Sequence, residues 1–195
     1  HQSFTYEHAL IGAAAIDETG NPLPDKTLEI CKSSDAILFG AIGDPKYDND
    51  PNAKVRPEQG LLALRKALNL YCNIRPVTIY DSLIDSSPLK RNRIEGVDLV
   101  IYRELTSGIY FGEKKETNDR GFASDLCAYN KEEILRVAHL AFKAAGKRKN
   151  KLTLVDKANV LASSRLWRSV VTELHSSKYK HIDLDFLFVD NAAMQ

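Results

Sequence analysis

Three arginines stand where apolar segments begin or end, and their side chains are suited to bind carboxylates. Arg65 shares a helical face with Leu61 and Leu68 in the segment PEQGLLALRKALNL. Arg75 precedes a proline, and Arg103 ends the apolar run VDLVIY. A guanidinium group binds a carboxylate through two parallel hydrogen bonds, so a dicarboxylate would use such a set. Each arginine taken alone is equally compatible with a structural ion pair or a side chain that extends to solvent.

Three other side chains could supply acid–base or metal chemistry. Lys157 follows the strand-like LTLVD and is either a general base or the ion-pair partner of Asp156. Asp190 follows the alternating DLDFLFV and is either an oxygen ligand for Mg²⁺ or Mn²⁺ or a helix N-cap. Tyr110 either donates a proton from its phenol or is a half-buried aromatic of a hairpin. These alternatives stay open from the residue pattern alone.

Alternating strands and helices must position these side chains. Strand-like segments cover residues 6–16, 35–43, 73–80, 97–105, 152–161 and 181–193. Helix-like segments cover residues 26–34, 57–70, 131–151 and 163–174, and residues 44–59 read as a long polar loop. Strands separated by helices of this length are typical of βαβ units. The predicted class is therefore α/β with a largely parallel sheet.

The composition argues against several classes of function. The chain has 195 residues and a formal net charge of +1, which gives no reason to expect nucleic acid or a membrane surface as a partner. No apolar run approaches the roughly 18 residues of a membrane span. The three cysteines, Cys31, Cys72 and Cys127, form no CxxC pair and suit a reducing cytoplasm. No dinucleotide or phosphate-loop glycine motif occurs, and the five histidines lack metal-site spacing.

Six segments in chain order resemble the β-decarboxylating dehydrogenases, a family that includes the isocitrate, tartrate and 3-isopropylmalate enzymes. The resemblance spans nearly the whole chain and implies their two-domain fold. We expect residues 1–71 to be part of the first, cofactor-bearing domain and 72–195 most of the second, substrate and dimerisation domain. A segment around 112–130 matches an intersubunit arm. The six segments are ILFGAIGDPKYD, RPEQGLLALRKAL, NIRPV, RELTSGIYFGE, VDKANVLASSRLWR and VDNAAMQ.

The resemblance implies a reaction and assigns the roles in it. A 2-hydroxyl is oxidised by hydride transfer to NAD, the keto acid loses CO₂, and Mg²⁺ or Mn²⁺ stabilises the enolate. By motif, Arg65, Arg75 and Arg103 bind the substrate carboxylates. Lys157 is the base that takes the hydroxyl proton, and Tyr110 is the acid that protonates the enol.

The remaining roles carried by the resemblance concern metal, cofactor and the second subunit. Asp190 is a metal carboxylate that also contacts substrate, and Glu58 and Asn159 lie near the cofactor. Val160 lines the substrate pocket from the other subunit. In the family Lys157 and Asp190 also come from the partner, which implies a homodimer with a shared site.

The residues Leu61 and Leu62 indicate which substrate the resemblance favours. Two leucines one turn before Arg65 can bury a branched apolar group, at roughly 1.5–3 kcal/mol for a side chain of that size. The isocitrate enzymes carry polar residues on this helix. We therefore expect 3-isopropylmalate as the small-molecule substrate, its product to be 2-oxoisocaproate, and the pathway to be cytoplasmic leucine biosynthesis.

The sequence departs from the family pattern in two ways. Ser107 replaces the first glycine of Thr-Gly-Gly, and we expect strain in the turn that aims Tyr110. The family's GDGIGPE-like and HGSAPD-like loops and its two other metal aspartates find no match in the chain. We therefore expect an internal fragment that is inactive alone. The alternatives are a non-catalytic fragment that folds and dimerises, or a tartrate- or isocitrate-type relative.

Overall fold

The computed structural model describes residues 3–48 and 53–195 and divides the chain into two compact units, His1–Leu70 and Tyr71–Gln195. The chain is a mixed α/β protein. In the described part of the first unit the regular structure is helical. Its helices are α1 (Ala13–Thr19), α2 (Asp25–Ser33), α3 (Pro45–Asp48) and α4 (Pro57–Ala67).

The two strands predicted for the first unit are wrong. Gly12, at φ 68°, turns the chain directly into α1, whose alanines favour a helix. Residues 35–43 form no strand, and Leu38 is 99% exposed. A strand needs a partner for its backbone hydrogen bonds, and no part of residues 3–48 or 53–70 pairs with either segment.

The predicted helices α2 and α4 are confirmed. Pro57 occupies the first turn of α4, where its missing N–H costs no hydrogen bond, and Leu64 is buried on the inner face. Gly60 is needed for packing, because a Cβ there would overlap the backbone of Pro22. The predicted polar loop contains the short helix α3, and residues 49–52 of it lie outside the described residues.

The second unit begins with an antiparallel pair of strands, β1 (Cys72–Thr78) and β2 (Asp98–Glu104). Both strands were predicted, but the expected parallel arrangement is wrong for them. A parallel pair needs a crossover that returns along the whole strand. The connection instead contains only a 3₁₀ turn (Asp81–Ser86) and the one-turn helix α5 (Arg91–Ile94).

The rest of the unit contains two small ladders and three helices. A 3₁₀ turn (Gly108–Tyr110) leads to the hairpin β3 (Lys114–Lys115) and β4 (Ser124–Asp125). Then follow α6 (Lys131–Gly146), β5 (Lys151–Asp156), α7 (Ala162–Lys178), β6 (Asp183–Phe188) and α8 (Val189–Met194). β5 and β6 are parallel, as a βαβ unit requires. The predicted last strand is shorter than expected, because residues from Val189 onward form α8.

The core of the second unit lies between α6, α7 and the β5–β6 pair. Ile134 and Phe142 are fully buried, and the Phe142 ring stacks on Tyr179 with centroids 4.7 Å apart. Asn130 caps α6 in a reciprocal capping box with Glu133. Both β2 and β5 pack on α6, which places the carboxyl ends of both strands on one scaffold.

Two sequence expectations concern the chain as a whole. The three cysteines are free thiols. Across residues 3–48 and 53–195, no helix combines the length and the apolar character that crossing a bilayer demands.

Candidate active site

The antiparallel register of β1 and β2 brings two of the predicted arginines onto one face. Arg103 lies opposite Asn73, and Arg75 lies opposite Ile101. Directly paired side chains share a face, and residues two apart along a strand do so too. Arg75 and Arg103 are therefore diagonal neighbours, and Arg75 Nε donates a hydrogen bond to Asn73 Oδ1 at 2.8 Å. Both arginines are exposed, so this face offers two guanidinium groups to an anion.

Tyr110 lies against Arg103. The guanidinium carbon of Arg103 is 5.1 Å from the centre of the Tyr110 ring, within cation–π range. Tyr110 is 52% exposed, and it ends a 3₁₀ turn and does not lie in a strand of the β3–β4 hairpin. A phenol that stays accessible beside a guanidinium can meet a bound anion.

The turn before Tyr110 does not carry the strain expected at Ser107. Ser107 has φ −140°, an extended backbone that any residue adopts. The left-handed conformation falls on Gly108, at φ 74°, which is buried against the Tyr129 hydroxyl. Burial raises the pKa of the Tyr129 phenol to about 12, which keeps it neutral. The expectation of strain at Ser107 is therefore wrong, because the special backbone angle lies one residue later.

Lys157 and Asp190 meet at the carboxyl ends of β5 and β6. Lys157 Nζ lies 2.5 Å from Asp190 Oδ1, and this hydrogen bond lowers the pKa of the Asp190 carboxyl. The alternative pairing of Lys157 with Asp156 is wrong, since Asp156 is bound by Arg168. The N-cap alternative for Asp190 is also wrong. The N-cap of α8 is Phe188, and Asp190 lies in the first turn of that helix, not at a strand end.

Four predicted residues lie in the first unit, on α4. Glu58 is exposed in its first turn, while Leu61, Leu62 and Arg65 are each partly exposed. Arg65 follows Leu61 by four residues and Leu62 by three, so the leucines and the guanidinium share one side of the helix.

The two remaining predicted residues lie in the turn between β5 and α7. Asn159 and Val160 are exposed, and Val160 is 62% exposed despite its apolar side chain. The turn is held from α7, where Arg165 donates to the carbonyl oxygens of Ala158 and Val160, both at 3.2 Å. An exposed valine on a fixed turn offers an apolar contact to a neighbouring molecule or ligand.

The structure thus forms two pairs from the predicted residues of the second unit. Arg103 and Tyr110 form one, and Lys157 and Asp190 form the other. No hydrogen bond or ring contact between described residues joins the first pair to the second. Arg103 and Tyr110 also line a groove of about 900 Å³ that runs between β2 and β5 over α6.

The described residues can be compared with the arrangements that bind metal ions and dinucleotides. Across residues 3–48 and 53–195, no three His, Cys, Asp or Glu side chains cluster as metal ligands do. Asp190 supplies one carboxylate, so the described residues do not form a metal site by themselves. In the described part of the chain no strand leads through a glycine-rich turn into an α-helix, the arrangement that binds a dinucleotide pyrophosphate.

Two buried carboxylates were missed as candidate residues. Glu104 ends β2, and its side chain is 2% exposed; Asp156 ends β5, and its side chain is 3% exposed. The period of two along each strand was a usable signal. Alternation along β2 places Glu104 on the same inner face as Val100 and Tyr102. Alternation along β5 places Asp156 on the same inner face as Leu152 and Leu154.

The fold and these side chains together define a class of protein. It is the α/β proteins in which a strand face presents two arginines and the segments after strand ends carry a tyrosine, a lysine and an aspartate. The sequence profile described as "Isocitrate/isopropylmalate dehydrogenase" matches residues 1–195. The chain belongs to this family.

Curated relatives narrow the comparison. The chain is 54% identical over 195 residues to a 3-isopropylmalate dehydrogenase of Geobacillus kaustophilus, a match covering 98% of this chain and 52% of the relative. It is 53% identical over 190 residues to a 3-isopropylmalate dehydrogenase of Bacteroides fragilis, covering 97% of this chain and 53% of the relative. The chain therefore spans about half the length of the curated relatives it matches.

Solved structures show the same fold. An isocitrate dehydrogenase from Methylococcus capsulatus matches with a TM-score of 0.70 and 27% identity, over 95% of this chain and 52% of that one. A β-decarboxylating dehydrogenase from Thermococcus kodakarensis matches with a TM-score of 0.64 and 30% identity, over 94% of this chain and 48% of that one. Both similarities extend over nearly all of this chain.

Proposed function

We propose that this chain is part of an enzyme that oxidises and decarboxylates 3-isopropylmalate to 2-oxoisocaproate with reduction of NAD, a step of leucine biosynthesis. The observation that carries the proposal is the shared face of Arg75 and Arg103, with Tyr110 against Arg103. The names of the relatives support the substrate. Two guanidinium groups beside a phenol suit a dicarboxylate whose product needs a proton.

The arginines bind and orient the substrate. Arg75 and Arg103 hold carboxylate oxygens through charge-assisted hydrogen bonds, which fixes the scissile bond relative to the other groups. Arg65 on α4 is the third carboxylate-binding residue. The exposed guanidinium groups of β1 and β2 need no reorganisation of a buried core to receive an anion.

Lys157 and Tyr110 move the protons. Lys157 accepts the proton of the substrate hydroxyl, which only its neutral amine, no longer bound to Asp190, can do. Tyr110 donates its phenolic proton to the carbon that has lost CO₂. Each group is accessible enough to do so, since Lys157 is only partly buried and Tyr110 is exposed.

The cofactors and the assembly follow the family. Glu58 and Asn159 would lie beside NAD, which would supply a hydride acceptor, and Asp190 would be one carboxylate ligand of a Mg²⁺ or Mn²⁺ ion, which would stabilise negative charge on oxygen. The enzyme is a cytoplasmic homodimer in which Lys157, Val160 and Asp190 complete the partner's site, and the segment around 112–130 is the intersubunit arm. The β3–β4 hairpin and the exposed Val160 are features that support such an interface.

Leu61 and Leu62 select the substrate within the family. Both leucines lie one turn before Arg65 on α4, and both are partly exposed, so their side chains are available to a ligand. The isopropyl group packs on them, where an isocitrate enzyme would need polar side chains.

The test is a chimera in which this chain replaces the matching segment of the Geobacillus kaustophilus relative. NADH formation is followed with 3-isopropylmalate, isocitrate, tartrate and malate in the presence of Mn²⁺. We expect turnover with 3-isopropylmalate at least tenfold above that with the other three acids. A folded chimera that prefers isocitrate or tartrate contradicts the proposed substrate.

A second candidate is a chain that folds, dimerises or binds a dicarboxylate without catalysis by itself. It is favoured by the lack of a three-residue metal cluster in residues 3–48 and 53–195. The 195-residue chain alone, assayed with 3-isopropylmalate, NAD and Mn²⁺, is expected to form no NADH. Clear turnover by the chain alone excludes this second candidate.

A further inference from the structure

Glu104 makes an unusually complete set of hydrogen bonds at the end of β2. Its carboxylate accepts the backbone N–H of Thr106 at 3.0 Å and that of Ser107 at 2.9 Å. It also accepts the hydroxyl of Thr106 at 2.7 Å and Nη2 of Arg136 at 3.1 Å. Arg136 in turn donates to the Thr106 hydroxyl. One carboxylate thus binds two consecutive amides of the turn that leads to Tyr110.

Asp156 is bound in the same way at the end of β5. Arg168 makes a bidentate pair with it, through Nε at 2.9 Å and Nη2 at 2.8 Å. The backbone N–H of Ala158 donates to Asp156 Oδ1 at 2.9 Å. This bond closes the chain around Lys157, whose own backbone N–H donates to Ser164 Oγ at 3.2 Å.

The two arginines are themselves fixed by aromatic rings. The guanidinium carbon of Arg136 lies 4.7 Å from the centre of the Tyr71 ring. That of Arg168 lies 4.9 Å from the Phe186 ring and 5.2 Å from the Phe188 ring. The carboxylates of Glu104 and Asp156 are almost fully buried, and a buried charge is tolerated only when it is paired and hydrogen-bonded. Each carboxylate and its arginine therefore form one rigid unit.

The groups that these turns carry cannot be fixed by their own burial. Tyr110 is 52% exposed, and the Lys157 side chain is 29% exposed. The direction of a side chain that is not enclosed by the core depends on the backbone that bears it, and a catalytic group must be held within a fraction of an ångström. Tyr110 contacts Arg103 and Lys157 contacts Asp190, and the buried carboxylates bind the backbone next to each of them.

We propose that Glu104 and Asp156 are positioning residues, which fix the turns that carry Tyr110 and Lys157. Arg136 on α6 and Arg168 on α7 anchor the two carboxylates to the helical layer. The arrangement serves proton transfer only if Tyr110 and Lys157 have the roles given above, so in that respect it rests on the proposed function. The mechanical part, fixing the two turns, stands on the hydrogen bonds alone.

Amide hydrogen exchange on the 195-residue chain tests the first turn. The variant Glu104→Gln keeps the shape but removes the charge, and its matched control is Asp98→Asn. Asp98 lies at the other end of β2 and pairs with Arg148 at 2.7 Å, but its side chain is half exposed. We expect exchange at Thr106 and Ser107 to be at least tenfold faster in Glu104→Gln and within twofold of wild type in Asp98→Asn.

The contact between Arg103 and Tyr110 gives a second, independent signal. In Glu104→Gln the nuclear Overhauser effects between the Tyr110 ring and the Arg103 side chain should be lost, while those between Phe142 and Tyr179 in the core remain. If Glu104→Gln does not fold, Thr106→Val removes one donor to Glu104 at constant side-chain shape. Normal exchange at Ser107 together with an intact Arg103–Tyr110 contact overturns the proposal for Glu104.

The second turn is tested in the same way with Asp156→Asn. The control is Glu173→Gln. Glu173 lies on α7, the helix that carries Arg168, and the change removes its exposed ion pair with Lys131 of α6. Exchange at Ala158 and Leu161, whose N–H groups donate to Asp156 and to the Lys157 carbonyl, should rise at least tenfold in Asp156→Asn only. Unchanged exchange at both amides overturns the proposal for Asp156.

Kinetics of the chimera separate positioning from simple stability. We expect Glu104→Gln to lower kcat at least tenfold and to change the KM for 3-isopropylmalate less than threefold, because Arg75 and Arg103 are held by the pairing of β1 with β2 and not by the turn that Glu104 binds. If the chimera without further substitutions is inactive, the result counts against the proposed function. The positioning role of Glu104 is then judged from the hydrogen-exchange measurements alone. An active parent whose Glu104→Gln variant keeps its kcat counts against positioning alone.

Discussion

Lys157 and Asp190 form an ion pair at the carboxyl ends of two parallel strands, with Nζ 2.5 Å from Oδ1. The register explains why they meet. Asp156 at the end of β5 lies opposite Phe188 at the end of β6, so both strands end at the same level. Residues immediately beyond those ends therefore share one edge, which in α/β proteins is the edge that binds ligands.

The ion pair predicts that the carboxyl group of Asp190 has a lowered pKa. The hydrogen bond from Lys157 lowers the pKa of Asp190 below its usual 3.8. The variant Lys157→Met keeps the side-chain stem but removes the charge, and it should raise that pKa toward 3.8. NMR titration of the side-chain carboxyl carbon measures the change in the 195-residue chain. Lys180→Met, on an exposed lysine, is the control and should leave the Asp190 titration in place.

The same shift fixes a pH window for the contribution of the pair to stability. Below pH 3.8 the Asp190 carboxyl of the unfolded chain takes up a proton before that of the folded chain. The stabilisation is therefore complete above about pH 3.8 and is lost as the pH falls through the lowered pKa of the folded state. If Lys157→Met and the wild type lose stability identically across this window, the pair contributes nothing.

Gly108 predicts a large difference between two alanine substitutions. Gly96 and Gly108 both have a positive φ, 73° and 74°, but only Gly108 is packed, with the Tyr129 hydroxyl where a Cβ would lie. Gly96→Ala should cost about 1–2 kcal/mol of unfolding free energy, from the left-handed backbone alone. Gly108→Ala should cost about 1–3 kcal/mol more, because Tyr129 must move. Urea unfolding of the two variants measures both, and equal midpoints would contradict the packing argument.

The longer elements of the second unit can be predicted from sequence because their patterns are strong and local. The strand β2 and the helix α6 each follow one clear period, and α6 also carries its Asn130 cap. The direction of pairing was not readable. It depends on the connection between β1 and β2, where two short helical turns replace the long crossover helix that a parallel pair needs.

The first unit shows where periodicity fails. The run that precedes and includes α1 is apolar and was predicted as a strand, yet short apolar runs fit a buried helix equally well. Here the helix forms because Gly12, with its positive φ, turns the chain into the first residue of α1. Sequence could identify Glu104 and Asp156 as inward-facing acids, but not their partners Arg136 and Arg168. Such pairings depend on how helices pack on strands, which a local pattern does not contain.

Arg103 predicts a specific loss of substrate affinity. Removing its charge in the chimera with Arg103→Gln should raise the KM for 3-isopropylmalate roughly 10- to 100-fold, because a hydrogen bond to a charged group is worth about 1.5–3 kcal/mol. The control is Arg93→Gln, on an exposed arginine of α5. Steady-state kinetics measure both variants. An unchanged KM in Arg103→Gln would show that this guanidinium does not bind the substrate.

Leu61 and Leu62 predict a change in selectivity and not merely a loss of activity. The double variant Leu61→Ser/Leu62→Asn removes two apolar side chains, each worth about 1.5–3 kcal/mol when fully buried against a ligand. Malate has no isopropyl group, so its turnover should change little, while kcat/KM for 3-isopropylmalate in the chimera falls at least tenfold. Ala63→Ser, exposed on the same helix, serves as the control and should leave the ratio of the two substrates unchanged. Equal losses on both substrates would mean that the leucines support the helix and do not contact the isopropyl group.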